Sequence, residues 1–145
     1  MARPAAERRH GAAEIAEITR RALEQVELAG TEDKLPSELS GGMRKRVAIA
    51  RALAIDPELI LYDEPTADLD PILTEEIGQL IARIHEHRGA TQIIVTHNLP
   101  LARRIATRIA VLDEGRIAEY VTPAELARSR HPLTREFIRA SSLEA

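Results

Sequence analysis

The sequence predicts an α/β fold with a parallel sheet at its core, and three segments carry that expectation. Leu59-Ile60-Leu61-Tyr62 and Thr91-Gln92-Ile93-Ile94-Val95-Thr96 are apolar runs of strand length, punctuated by Pro57, Pro65 and Gly89, which predicts strands buried on both faces. Between them, Ile72 to His87 sets Ile77, Leu80, Ile81 and Ile84 on one face of a helix that Gly89 closes. Strand, helix-length connection and strand in that order require a crossover, so the two strands run parallel and the connection is right-handed.

At 145 residues the chain is one domain or part of one, long enough to bury a core. Hydrophobic residues make up 44% but aromatics only 2%, so the core is aliphatic and base-stacking platforms are excluded. The net charge of −3 gives no broad attraction for nucleic acid, and no nucleic-acid partner is expected. Without cysteine there are no disulfides, thiolate metal sites or cysteine nucleophiles. No apolar run approaches the roughly 18 residues needed to cross a bilayer, so a cytoplasmic chain without direct membrane insertion is expected.

Met1 to His10 reads as a loose start. Ile15, Ile18, Ala22, Val26 and Ala29 then recur at helical spacing from Gly11 to Ala29, with Gly30 as the stop, and Thr31 to Glu38 is a connecting loop. A second helix from Gly42 to Ile55 turns Val47, Ile49, Ala50, Leu53 and Ala54 inward and stops at Asp56-Pro57. After the strand–helix–strand unit, Asn98 caps a helix with Pro100 in its first turn, and Ile109 to Leu112 and Arg116 to Val121 flank the hairpin turn Asp113-Glu114-Gly115. Thr122-Pro123-Ala124-Glu125 is a capping box opening a short helix, and a last helix carries Leu133, Phe137 and Ile138.

Two places look chemical. Ser40-Gly41-Gly42 opens a helix with a capping hydroxyl and two residues that let a ligand approach unpaired N–H groups at the positive end of the dipole, an anion site. Asp63 and Glu64 end the first strand, where open α/β sheets place their ligands; Asp63 suits Mg²⁺, and Glu64 suits the orientation or deprotonation of a water. Taken alone, the pair reads first as a solvated strand end, and its context reverses that reading. His97 ends the second strand at the same sheet edge and can donate a hydrogen bond to a terminal phosphate. Arg44-Lys45-Arg46 is read as a solvated helix start, and His85 and His87 as solvent-facing.

In order along the chain, Leu39-Ser40-Gly41-Gly42-Met43, Ile60-Leu61-Tyr62-Asp63-Glu64-Pro65-Thr66, Asp68-Leu69-Asp70-Pro71 and Val95-Thr96-His97 resemble the signature motif, Walker B motif, D-loop and H-switch of the ATP-binding-cassette (ABC) ATPases. The resemblance implies a partial P-loop NTPase fold: residues 1–57 part of the helical subdomain, 58–121 the α/β core and 122–145 carboxyl-terminal helices. It implies ATP and Mg²⁺ as ligands. Ser40, Gly41 and Gly42 would bind the γ-phosphate of an ATP held mainly by an opposing subunit; Asp63 would hold Mg²⁺; Glu64 would be the general base; His97 would contact the γ-phosphate; Asp70 would signal across the dimer. Asp68 stands where glycine or alanine is commoner, and Asn98 where an acidic residue is usual. Met43, the Arg-Lys-Arg-Val continuation and Tyr62 resemble, more narrowly, the ATPase subunit of phospholipid-trafficking transporters of the maintenance-of-lipid-asymmetry and Mce type.

No Gly-x-x-x-x-Gly-Lys-Ser/Thr run occurs in the sequence, so the resemblance is to the carboxyl-terminal part of a complete ATPase, with the Walker A loop expected upstream of Met1. The strand leading to His97 is then expected to present an unpaired edge. The implied function is that of an ATPase subunit for lipid transport. It would work as a homodimer or paired with a full-length ABC ATPase, and would sit at the inner face of the membrane through a permease. The rival reading is a catalytically inactive interaction module that lends its signature motif in trans. A soluble ABC ATPase of DNA repair or translation would need insertions or a second cassette that this length excludes.

Overall fold

The first helix ends earlier than its apolar periodicity predicts. In the computed structural model, which describes residues 11–143, α1 spans Ala12–Gln25 instead of running on to Ala29. Glu27 takes a left-handed conformation at φ 61°, its N–H bonding to the Glu24 carbonyl and that of Leu28 to the Leu23 carbonyl. That pair of bonds is a Schellman ending with glutamate where glycine is usual, and it turns Leu28 back so that both Leu23 and Leu28 are buried. Burying one leucine contributes about 2 kcal/mol, enough to offset the strain of a non-glycine residue in that region. Residues 1–10, read from sequence as a loose start, lie outside the described residues.

The chain divides between Glu58 and Leu59 into two compact units. In the first, a 3₁₀ turn at Pro36–Glu38 leads to α2, Gly41–Leu53, capped by Ser40. Ile49, Ala50 and Leu53 of α2 are buried along with Ala22, Leu23 and Val26 of the α1 segment. Arg46 corrects the reading of Arg44-Lys45-Arg46 as a solvated helix start. Its side chain is only 12% exposed; its guanidinium donates to the Val26 carbonyl at 3.1 Å and pairs with Glu27, so it clamps the end of α1.

In the second unit β1 (Leu59–Asp63) and β2 (Thr91–Val95) pair in parallel, with Leu59 opposite Thr91 and Asp63 opposite Val95. The crossover helix α3, Pro71–Arg88, buries Ile77, Leu80, Ile81 and Ile84 and ends on Gly89 at φ 64°. The strands are not buried on both faces, as their composition predicts. Ile60 and Tyr62 are covered, whereas Leu59 is 53% and Leu61 68% exposed, with Ile93 and Val95 about half exposed on the same face. A single crossover helix supplies a layer to one side of a sheet, and among the described residues of this unit the other side lacks one.

Helix α4 (Leu99–Ile105) follows β2, and a hairpin of β3 (Ile109–Asp113) and β4 (Arg116–Val121) forms a second sheet. Its two-residue turn, Glu114-Gly115, has both φ angles positive, 47° and 74°, which matches the twist of the flanking strands. The short helix α5, Pro123–Leu126, starts at a reciprocal capping box between Thr122 and Glu125, and α6 spans Pro132–Leu143. The start of α6 is tied to β4 through Glu119, which accepts from the Ser129 hydroxyl at 2.7 Å and from that of the buried Thr134.

Candidate functional site

The carboxylates at the end of β1 part company because of one backbone angle. Asp63 completes the strand opposite Val95 and is exposed. Glu64 adopts φ 45°, left-handed for a non-glycine residue, while its N–H still bonds to the Val95 carbonyl at 2.9 Å. Strain of that kind persists only where surrounding bonds over-determine it, and here they come from the end of β2. Glu64 Oε1 accepts from the His97 N–H at 3.0 Å and lies 2.9 Å from His97 Nδ1; Oε2 accepts from the Thr96 hydroxyl at 3.4 Å.

These bonds decide the chemistry of both groups. Burial works to raise the Glu64 carboxyl, but the His97 side chain, its charge and N–H, and the Thr96 hydroxyl together hold it below the ordinary 4.5. Glu64 is thus an ionised acceptor at neutral pH. An ionised carboxylate only accepts, so the proton between the two groups sits on His97 Nδ1. His97 is 77% exposed and its Nε2 faces outward: an acceptor while the ring is neutral, a donor to an anion once the ring is protonated. Glu64 and His97, assigned separate tasks from sequence, are one hydrogen-bonded pair. Thr96 escaped the sequence reading, although a hydroxyl at the end of a strand beside His97 was its visible signal.

Asp70 is committed locally. Its Oδ1 accepts from the N–H groups of Ile72 and Leu73, each at 2.9 Å, capping α3 with Pro71 in the first turn. Asp68 is left-handed at φ 63° and turns the loop toward that cap. Tyr62 is buried beneath the strand, its hydroxyl pushed up to about 12 by burial, with Arg88 opposing.

In the first unit, Ser40 Oγ accepts from the Met43 N–H at 3.2 Å and the Ser40 carbonyl takes the N–H of Arg44. The N–H groups of Gly41 and Gly42 stand at the open end of α2, and the Ser40 hydroxyl keeps its own proton to donate. Arg44 turns back to donate to the Leu39 carbonyl at 2.6 Å, and its Nη2 lies beside Gly41, 4.0 Å from where a Cβ would stand. A γ-phosphate oxygen is the kind of acceptor these donors suit.

Among the described residues no group of three or more His, Cys, Asp or Glu could hold a metal. Asp63 alone still fits Mg²⁺, which keeps most of its waters and takes one or two carboxylates with substrate phosphates.

The family model described as "ABC transporter" matches residues 4–67, which include the Ser40 turn and the Asp63-Glu64 tip. The chain has, in part, the α/β fold of the ABC ATPases. Its fold is that of the ATP-binding cassette MJ0796, solved as a dimer in a post-hydrolysis state with ADP and Pi, with 35% identity and a TM-score of 0.68 over 81% of this chain and 51% of that one. It also matches cbiO1 from Clostridium perfringens, part of the transporter complex cbiONQ, at 30% identity and a TM-score of 0.78 over 95% and 56%.

A probable amino-acid ABC transporter ATP-binding protein of Sinorhizobium fredii is 44% identical over 86% of the chain and 50% of that protein. The L-cystine import ATP-binding protein of Bacillus subtilis is 46% identical over 83% and 48%. A methionine import ATP-binding protein of Lactococcus lactis is 42% identical over 83% and 33%. The chain spans about half the length of the first two relatives, or less for the third.

The narrower resemblance to phospholipid-trafficking ATPases is not supported, because these relatives are named for amino-acid transport. The residues that suggested it have structural work instead: Tyr62 is buried and Arg46 clamps α1, and neither position reports a cargo. No helix among the described residues is long and apolar enough to cross a membrane.

Proposed function

We propose that this chain forms the signature and hydrolytic portion of the ATPase subunit of an ABC importer for a polar or sulfur-containing amino acid. The observation that carries the reading is the Glu64–His97 pair at the tip of a parallel sheet, next to an exposed Asp63 suited to Mg²⁺. Names of relatives at 42–46% identity favour amino acids over lipids as cargo. In this reading Asp63 would hold Mg²⁺, which would neutralise charge on the phosphates; Glu64 orients the attacking water and takes its proton; and His97, with its ring protonated, donates from Nε2 to the γ-phosphate. Ser40, Gly41 and Gly42 present their donors to the γ-phosphate of a nucleotide bound mainly by the opposing subunit, and Asp70 fixes the loop that meets it. Two such subunits close on ATP, reopen after hydrolysis and drive a membrane permease from its cytoplasmic side.

The test is ATP turnover in the transporter purified through a tag on this chain. Glu64→Gln is expected to lower turnover by about 10²–10⁴-fold, the usual contribution of a general base, while nucleotide still binds. Unchanged turnover would overturn the assignment. A second reading is a module that lends the capped Ser40-Gly41-Gly42 turn to a full-length ATPase. The isolated 145-residue chain is expected to show no steady-state hydrolysis in either reading; turnover abolished by Glu64→Gln in that preparation would contradict it.

A further inference from the structure

Gly78 lies buried inside α3, where glycine is the least suitable residue after proline for a helix interior. Its reason lies on the neighbouring helix. A Cβ at this position would sit 2.5 Å from Leu101 Cδ1 and 3.0 Å from Arg104 Nη2, both on α4. Leu101 is 2% exposed, so its methyl group has no open space to swing into, and Arg104 is tied by an ion pair to Glu75 on α3. The side chain of Leu101 therefore rests in the notch that the missing Cβ leaves.

From Leu101 a continuous set of hydrogen bonds leads to the tip of the sheet. The Leu101 N–H donates to Asn98 Oδ1 at 2.9 Å, and the Asn98 N–H donates to Thr96 Oγ1 at 3.0 Å. The Thr96 hydroxyl donates to Glu64 Oε2, and the His97 N–H donates to Oε1. Each link is one bond long, the last, from Thr96 to Glu64, being the longest at 3.4 Å, so the seat of α4 at Leu101 is coupled to the carboxylate through three successive bonds.

We propose that Gly78 is a positioning residue for the Glu64–His97 pair: by admitting Leu101 it sets the seat of α4, whose Asn98 cap sets where Thr96 and His97 meet Glu64. The proposal rests on Glu64 and His97 as the hydrolytic pair and extends that site to a residue remote from it in sequence.

The experiment is NMR of the isotope-labelled 145-residue chain at one fixed neutral pH, reading the His97 amide and imidazole resonances and the hydrogen exchange of that amide. Gly78→Ala is expected to shift both His97 resonances and to speed exchange of its amide about tenfold, the equivalent of losing one hydrogen bond. Adding Leu101→Val, which removes a carbon where one was added, is expected to restore both. Arg104→Ala, exposed on α4, should leave them in place if Leu101 is the contact that matters. A folded Gly78→Ala chain with wild-type His97 resonances would overturn the proposal. Where Gly78→Ala alone does not fold, the double variant decides: folding with wild-type His97 resonances supports the proposal, and an unfolded chain or displaced resonances overturn it. No nucleotide enters this measurement, so it stands or fails separately from the effect of Glu64→Gln on turnover.

Discussion

The Ser40 turn and the Glu64 tip, both proposed to meet phosphate, are held in opposite ways. At Ser40 every bond is short-range: the hydroxyl reaches the Met43 N–H, the carbonyl takes the Arg44 N–H, and the Arg44 side chain folds back on Leu39. At Glu64 the bonds to the carboxylate and from the N–H all reach the end of the other strand, across thirty-odd residues, and only the carbonyl is taken locally, by the Ala67 N–H; a left-handed backbone turns the carboxylate toward its partners. A donor site made by a helix start needs only that helix. A base held beside a histidine needs the sheet and the helix that follows it. Hence a change near Ser40 should alter what the chain binds, whereas a change near Glu64 or α4 should alter how its charges are set.

Substitutions at three positions and a titration sharpen that difference. Ser40→Arg replaces the hydroxyl proposed to meet phosphate with a bulky cation, and pairing with a full-length ABC ATPase in the presence of nucleotide should weaken about a hundredfold in sedimentation or co-purification. The thermal midpoint of the chain should fall by only a few degrees, since losing the Ser40 cap on the Met43 N–H costs about 1 kcal/mol. A collapse of the fold instead would mean that the turn is structural first. Arg46→Ala removes a charged donor from the Val26 carbonyl and a partner from Glu27, and should lower the urea-derived stability by about 2 kcal/mol. Asp70→Ala, which uncaps α3, should lower it by about 1 kcal/mol, and Asp70→Asn should recover most of the loss.

The acid dependence is the smallest effect. Glu64 is held low for the reasons given above, and Glu119 is held low first by the Thr134 hydroxyl, against burial, with the Ser129 hydroxyl and the His131 charge assisting. A depressed carboxyl stabilises the fold above its unfolded value near 4.5 and loses that contribution as pH falls through the lower folded value. Urea midpoints should therefore fall as pH drops below about 4.5, and the fall should be shallower in Glu64→Gln and in Glu119→Gln than in wild type. Equal slopes in all three would remove these two groups from the account.

The same contrast explains what the sequence could reveal. The Ser40 cap, the Thr122 capping box and the Glu114-Gly115 turn were legible because each obeys a rule spanning three or four residues. The parallel pairing of β1 and β2 was legible from the helix-length connection. Their one-sided burial was not, because an unbroken apolar run does not say which face is covered. Nothing about a glutamate announces a left-handed backbone, so both the end of α1 at Glu27 and the turn of Glu64 were hidden. Arg46 was misjudged because its partners lie in the preceding helix segment. His97 could be placed at the edge of the sheet, but its bond to Glu64 and the part played by Thr96 required the register of two strands.

The central claim is that Glu64 and His97 act as one unit. The direct measurement is a double-mutant cycle on ATP turnover by the assembled transporter, with Glu64→Gln, His97→Ala and both together. If the two residues work through one hydrogen-bonded arrangement, the double variant should be no slower than the slower single variant. Losses that multiply across the cycle would show two independent contributions and contradict the claim.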